Sequence, residues 1–191
     1  DVRIGSRFLR AGPAYGGSCF PKDTKGLVAI GAKEKTDLSL IRAVVLSNER
    51  RKKLILIKVN EILGKKIKNK KIVFLGVTFK PNTDDMRDSA SLLMLPFLIK
   101  KGAKVSYYDP TGEKKEFTNL VNCKFHNQIK SACHNADLII LHTEWDEFKS
   151  LDFKNLVKNK KFRIYDLRNL YSNEEMKRKK IKYFSIGRSV I

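Results

Sequence analysis

The run Lys71-Ile72-Val73-Phe74-Leu75-Gly76-Val77-Thr78-Phe79-Lys80 decides the fold. Its apolar residues from Ile72 to Leu75 stand directly before a glycine. That pattern reads as a short strand buried on both faces and closed by a tight turn. Working outward, Lys104–Tyr108, Asp137–His142, Phe162–Asp166 and Lys182–Ile186 read as further strands. Between them, Ser89–Lys101, Asn127–His134, Phe153–Val157 and Asn173–Lys180 read as helices. Pro96 kinks the first of these or starts a fresh turn in it. Strand and helix alternate, which predicts an α/β fold: a parallel sheet with helices on both faces. Residues 111–125 read as irregular.

Ligands of such sheets bind beyond the carboxyl ends of the strands. This selects the loops 76–88, 109–112, 142–148 and 166–171. The turn after the first strand lacks the G-x-G-x-x-G that brings backbone against a pyrophosphate. It carries Phe79 and Lys80 instead, an aromatic ring and a cation suited to a nucleotide but not to an NAD cradle.

The segment ahead of the sheet has a different texture. Residues 1–26 are rich in glycine and interrupted by Pro13 and Pro21, so they read as loop, with short helical turns at Ile4–Leu9 and after Pro21. Thr36 or Asp37 can cap a helix beginning near Leu38. Leu38, Ile41, Val45, Ile55, Val59 and Ile62 form an apolar stripe at helical spacing. The stretch from Asn48 to Lys53 is polar, and the helix is expected to pause there. Gly64 is a suitable stop.

The net charge is +20, from 40 basic and 20 acidic residues. Residues 1–66 hold 15 basic and 6 acidic residues, and residues 67–191 hold 25 and 14. The excess is spread through both parts, and Lys outnumbers Arg 29 to 11. Dispersed lysine argues against a nucleic-acid protein, which would concentrate its charge. It still favours anionic small ligands. No apolar run is long enough to span a membrane, and no signal peptide is visible. The three cysteines, Cys19, Cys123 and Cys133, form no C-x-x-C pair and no metal spacing. A reduced, cytoplasmic setting without a metal is expected. The chain opens on Asp1 without an initiator Met, and reads as a piece of something longer.

One cysteine stands apart. In Gly12-Pro13-Ala14-Tyr15-Gly16-Gly17-Ser18-Cys19-Phe20-Pro21-Lys22-Asp23, Cys19 sits in a Gly-rich loop beside a proline that can open a helix. A helix start and a neighbouring cation such as Lys22 favour the thiolate, the reactive form. Asp23, one helical turn on, would oppose that charge. Its use is more plausibly to orient water or a hydroxyl. A structural cysteine in a tight loop is the alternative.

Four blocks together resemble the UDP-glucose/GDP-mannose dehydrogenase family. They are GGSCFPKD at 16–23, GVTFKPNTDDMRDS at 76–89, HTEWDEF at 142–148 and YDLRN at 165–169. Their order and spacing agree with the family over almost the whole chain. The resemblance implies a helical dimerisation segment over 1–66, carrying the catalytic-cysteine loop, then a Rossmann-like UDP-binding domain over 67–191. It implies oxidation of a UDP-sugar C6 alcohol to an acid with two NAD in sequence, best matched by UDP-glucose to UDP-glucuronate.

Single residues follow from the same resemblance. Cys19 is the nucleophile toward the intermediate aldehyde, and Asp23 handles water and protons. Phe8, Leu9, Arg10, Tyr15 and Gly16 wrap the nucleotide sugar, and Arg3 reaches the sugar of the neighbouring subunit. Phe79, Lys80 and Arg168 contact substrate. Lys22 and Arg87 lie near the cofactor. A homodimer is expected. The family's NAD domain and its oxyanion-stabilising lysine and asparagine lie ahead of the sequence equivalent to Asp1, so the chain alone is expected not to run the full reaction. A UDP-N-acetylhexosamine or GDP-mannose dehydrogenase is the neighbouring alternative. A non-catalytic nucleotide-sugar-binding remnant is the alternative from another class.

Overall fold

A computed structural model describes Gly5 and residues 9–188 of the chain. Arg3, Phe8 and most of the turn expected over Ile4–Leu9 lie outside the described residues. Among the described residues, two long helices precede the sheet, α1 (Cys19–Lys33) and α2 (Ser39–Ile62). The expected short turn after Pro21 is in fact a 15-residue helix that begins at Cys19 itself. α2 runs unbroken for 24 residues, without the pause expected at Asn48–Lys53. The reason is spacing. Asn48 and Lys52 fall on the same face as Ile41, Val45, Ile55, Val59 and Ile62, and both are buried. The Asp37 carboxylate accepts from the Ser39 N–H at 2.9 Å, supporting the start of α2. Gly64 follows its end with φ 63°, the left-handed stop.

The remaining elements are β1 (Lys71–Leu75), α3 (Ser91–Lys100), β2 (Lys104–Tyr108), β3 (Cys123–Phe125), α4 (Ile129–Cys133) and β4 (Leu138–Leu141). A 3₁₀ turn over Asp146–Ser150, α5 (Phe153–Leu156), β5 (Arg163–Asp166), α6 (Asn173–Arg178) and β6 (Lys182–Ser185) follow. The six strands form one sheet in the order β3-β2-β1-β4-β5-β6, and every pairing is parallel. This is the doubly wound order, with the crevice between β1 and β4. The fold class agrees with the alternation read from the sequence. β3 lies inside the stretch expected to be irregular. Its three residues are too few for a pattern, and its pairing to β2 supplies what propensity does not. Pro96 sits inside α3 without ending it.

Successive strand residues feed opposite cores. Ile72, Phe74, Leu138 and Ile140 pack in one cluster with Ile55, Leu56, Val59 and Ile62 of α2 and with Met94, Leu95 and Leu98 of α3. Val73, Leu75, Ile139 and Leu141 pack in the other with Cys133, Phe148, Phe153 and Met176. The C-terminal half of α2 therefore belongs to the core of the sheet. Its N-terminal half carries α1 and the loop before it.

Candidate active site at the carboxyl edge of the sheet

The four loops selected by the fold argument meet. The Thr143 hydroxyl donates to the Thr78 carbonyl at 2.7 Å. The Asp109 carboxylate at the end of β2 accepts from the Val77 N–H at 2.8 Å. Ser89 and Ser91 donate their hydroxyls to the Val77 carbonyl at 2.7 and 2.5 Å. Gly76 has φ 75°, and a Cβ there would stand 2.5 Å from Thr143. The turn after β1 is thus closed by the protein's own groups. It does not fit a dinucleotide pyrophosphate, which needs free backbone N–H groups and glycine clearance.

Arg168 follows β5, with its side chain 9% exposed. Its Nε donates to the His142 carbonyl and its Nη2 to the Phe79 carbonyl, each at 2.8 Å. Glu144 pairs with it at 2.8 Å. Asp166, fully buried, accepts from the backbone N–H groups of Arg168, Leu170 and Tyr171 and from the Tyr183 hydroxyl. Burial raises the Asp166 pKa, and these hydrogen bonds oppose the rise. The Asp-x-Arg turn is therefore a rigid bracket between β5 and the loop carrying Phe79. His142 is buried and its pKa is pushed down to about 3 by that burial, with the Arg168 charge as the second cause.

The cysteine loop docks on this edge. The Gly17 N–H donates to the Arg87 carbonyl at 2.8 Å. A Cβ at Gly17 would lie 2.8 Å from the Phe79 ring, and one at Gly16 would lie 2.7 Å from the Asp88 carbonyl. A Cβ at Gly12 would lie 2.9 Å from the Arg168 guanidinium. The glycines are what let the loop lie against the Phe79 ring, the Asp88 backbone and the Arg168 guanidinium. From the other side α2 holds the loop. The Asn48 side chain accepts from the Tyr15 N–H at 3.0 Å and donates to the Tyr15 carbonyl at 3.2 Å. Arg51 donates to the Gly12 carbonyl at 3.2 Å.

Cys19 is exposed, the first residue of α1, with its sulfur 3.6 Å from the Ser18 hydroxyl. Asp23 is exposed one turn on and stands 3.5 Å from Lys22. Lys22 and Arg87, with Lys52 and Asp88, line a cavity of about 680 Å³ beside the cysteine loop. Arg87 forks onto Asp85, and that hydrogen-bonded pairing raises its pKa, with the Cys19 charge a smaller contributor in the same direction. Lys80 is exposed, its ammonium 5.3 Å above the Phe79 ring. A second cleft of about 440 Å³ is lined by Arg10, Glu144, Lys149, Arg168 and Arg188. Leu9 is exposed. A larger cavity, about 1050 Å³ between α2 and α3, shares none of the predicted site residues.

The other two thiols have different surroundings. Cys133 is buried and its pKa is pushed up to about 12 by that burial; Cys123, half-buried, reaches about 11 for the same reason. Among the described residues no group of three metal-ligating side chains occurs, and no helix is long and apolar enough to cross a membrane. The site residues expected from the sequence do not include Asn48, Arg51, Asp109, Glu144 or Asp166, although Glu144 and Asp166 fall inside the HTEWDEF and YDLRN blocks. For Asn48 a signal exists: a polar residue on an apolar stripe.

The site is thus an exposed thiol held at the carboxyl edge of a doubly wound parallel α/β sheet. The chain belongs to the UDP-glucose/GDP-mannose dehydrogenase family: residues 73–173 match the family's UDP binding domain, and residues 1–50 match its central domain. It is 42% identical over 189 residues to UDP-glucose 6-dehydrogenase of Rhizobium meliloti, covering 98% of this chain and 43% of that protein. The enzyme of the same name from Rickettsia felis is 37% identical over 190 residues, covering 98% of this chain and 42% of that protein. A solved UDP-glucose dehydrogenase from Pyrobaculum islandicum superposes with a TM-score of 0.80 at 28% identity, over 99% of this chain and 41% of that one. The chain thus spans less than half the length of these relatives.

Proposed function

We propose that this chain is the thiol-bearing, nucleotide-sugar-holding part of an enzyme that oxidises UDP-glucose to UDP-glucuronate. The observation that carries the reading is the docking of the Cys19 loop on the loop of Phe79 and Arg87, through Gly17. A thiol and a nucleotide-binding edge are thereby held together. The names of the relatives support the choice of sugar. In this reading the loop-and-helix segment extends to about residue 66, and the UDP-binding domain follows from 67. Phe79, Lys80 and Arg10 face the nucleotide sugar, with Arg168 behind them, and Leu9, Tyr15 and Gly16 shape the loop around it.

The chemistry assigned to this chain is covalent. The Cys19 thiolate adds to the carbonyl carbon of a sugar aldehyde, and the alkoxide takes a proton to give a thiohemiacetal. Loss of hydride from that carbon, with loss of the hydroxyl proton to solvent, gives a thioester. Water, oriented by Asp23, adds to the thioester and expels the Cys19 thiolate, leaving the acid. NAD, when bound, accepts the hydride, and Lys22 and Arg87 are the groups of this chain that face it. The closed turn after β1 gives it no cradle in the sheet. Two copies are proposed to associate through α1 and α2.

Thermal unfolding of the chain with and without UDP-glucose tests the reading. A ligand bound at 100 times its Kd stabilises the folded state by about 2.7 kcal/mol. Lys80→Ala should remove most of the shift without lowering the stability of the free chain. No shift at millimolar UDP-glucose would sink the proposal.

A further inference from the structure

α2 does more than bridge the two parts of the chain. Asn48 lies on its buried stripe, between Val45 and Lys52, where an apolar residue would otherwise pack. A buried primary amide requires partners, and it finds both on one residue. Its oxygen takes the Tyr15 N–H at 3.0 Å and its nitrogen gives to the Tyr15 carbonyl at 3.2 Å. The amide thus stands in for a paired strand and fixes Tyr15 in place. One turn on, Arg51 holds the Gly12 carbonyl at 3.2 Å. The Tyr15 ring meets the Phe20 ring edge-on with centroids 4.8 Å apart, and Phe20 directly follows Cys19. A continuous line of contacts therefore runs from the sheet core through α2, Asn48, Tyr15 and Phe20 to the thiol.

The geometry points to Asn48 as a positioning residue for Cys19: its side-chain amide sets the loop conformation that presents the thiol at the start of α1 beside Arg87. This rests on the reading of Cys19 as the reactive group. Asn48 itself touches no reacting atom. Its role is to keep Cys19 exposed at the start of α1, within electrostatic reach of the Arg87 guanidinium.

The test uses the 191-residue chain and two measurements. Asn48→Asp keeps the volume and the acceptor but sets a carboxylate oxygen against the Tyr15 carbonyl. Amide hydrogen exchange at Tyr15 should accelerate at least tenfold. The pH profile of Cys19 alkylation by iodoacetamide should change, with the rate at neutral pH falling at least threefold. Arg50→Ala, on the exposed side of α2, should leave both unchanged. If Asn48→Asp does not fold, Arg51→Met releases the Gly12 end of the loop and should shift the same profile in the same direction. Faster Tyr15 exchange with an unmoved alkylation profile overturns the proposal, and so does unchanged Tyr15 exchange. Failure of the nucleophile reading would look different: an enzyme of full family length with Cys19→Ser would still form acid, whatever Asn48 does to the thiol.

Discussion

Arg168 and Phe79, 89 positions apart in sequence, are joined by a 2.8 Å hydrogen bond from the guanidinium to the Phe79 carbonyl. The same guanidinium holds the His142 carbonyl and pairs with Glu144, so it spans three loops at the sheet's carboxyl edge. Arg168→Met leaves Glu144 without its partner in a largely buried site. Breaking a buried pair from one side costs about 3–5 kcal/mol. Urea denaturation should find a loss near the lower end of that range. Arg168→Lys should recover less than half of it, because one ammonium cannot span carbonyls that a planar fork reaches. A loss under about 1 kcal/mol for the methionine variant would show that the bracket is not structural.

Gly17 gives a second, sharper test. It has φ 86°, and a Cβ would meet the Phe79 ring at 2.8 Å. Gly17→Ala combines left-handed strain of about 1–2 kcal/mol with overpacking of about 1–3 kcal/mol. The variant should be at least about 2 kcal/mol less stable, or its cysteine loop should come off the sheet edge and expose Phe79. Gly26, inside α1, is the contrast: a methyl group added there would meet nothing within 4 Å. Gly26→Ala should stabilise by about 0.5–1 kcal/mol.

The thiols should separate kinetically. At neutral pH a group with pKa about 11, as for Cys123, is thiolate in a fraction on the order of 10⁻⁴. Cys133 is lower still, and buried. Cys19 is exposed at a helix start. A limiting iodoacetamide pulse followed by mass spectrometry should find Cys19 labelled at least tenfold faster than either. Comparable labelling at Cys123 would mean that the loop does not activate its thiol.

Acid should unfold the protein partly through His142. Its folded pKa is about 3 and its ordinary value 6.5, so between these pH values the unfolded state binds the extra proton. Stability is therefore present above about pH 6.5 and is lost as the pH falls toward 3. The slope is about 1.4 kcal/mol per pH unit for one group. From pH 6.5 to 4.5 the wild type should lose roughly 2–3 kcal/mol more than His142→Asn. Parallel pH dependences would show that His142 is not held neutral.

Leu40, Leu46, Leu54 and Ile57 on α2, with Ile30 on α1, are each more than half exposed. Exposed apolar side chains of this kind favour burial against a partner. Light scattering at ~100 μM should give a dimer, and Leu40→Lys with Leu46→Lys should give a monomer. A monomeric wild type at that concentration would remove the dimer from the proposed function.

Much of this site is legible from two patterns. Strand–helix alternation locates the four loops that meet at the sheet edge, and the Gly-rich run around Cys19 marks the loop that docks there. What stays hidden is long-range. Asp109 closing the turn at Val77, and Asp166 taking the Tyr183 hydroxyl, depend on strand order, which no local window contains. β3 is held by its pairing with β2 rather than by its composition. Asn48 misleads for a more instructive reason. Its polarity suggests a break in α2, yet the spacing 41, 45, 48, 52, 55, 59, 62 keeps helical period throughout. Period outranks polarity when a buried polar group has a partner to meet.

α2 has mechanical implications. A helix of 24 residues is about 36 Å long, and a helix anchored at one end in a packed core behaves as a stiff lever. Its far half grips the loop before Cys19 while its near half is set among Ile72, Phe74 and Leu138. The thiol and the sheet edge are thus fixed to opposite arms of one beam and closed against each other at Gly17. A motion that keeps these contacts carries cysteine and sheet together as a single jaw.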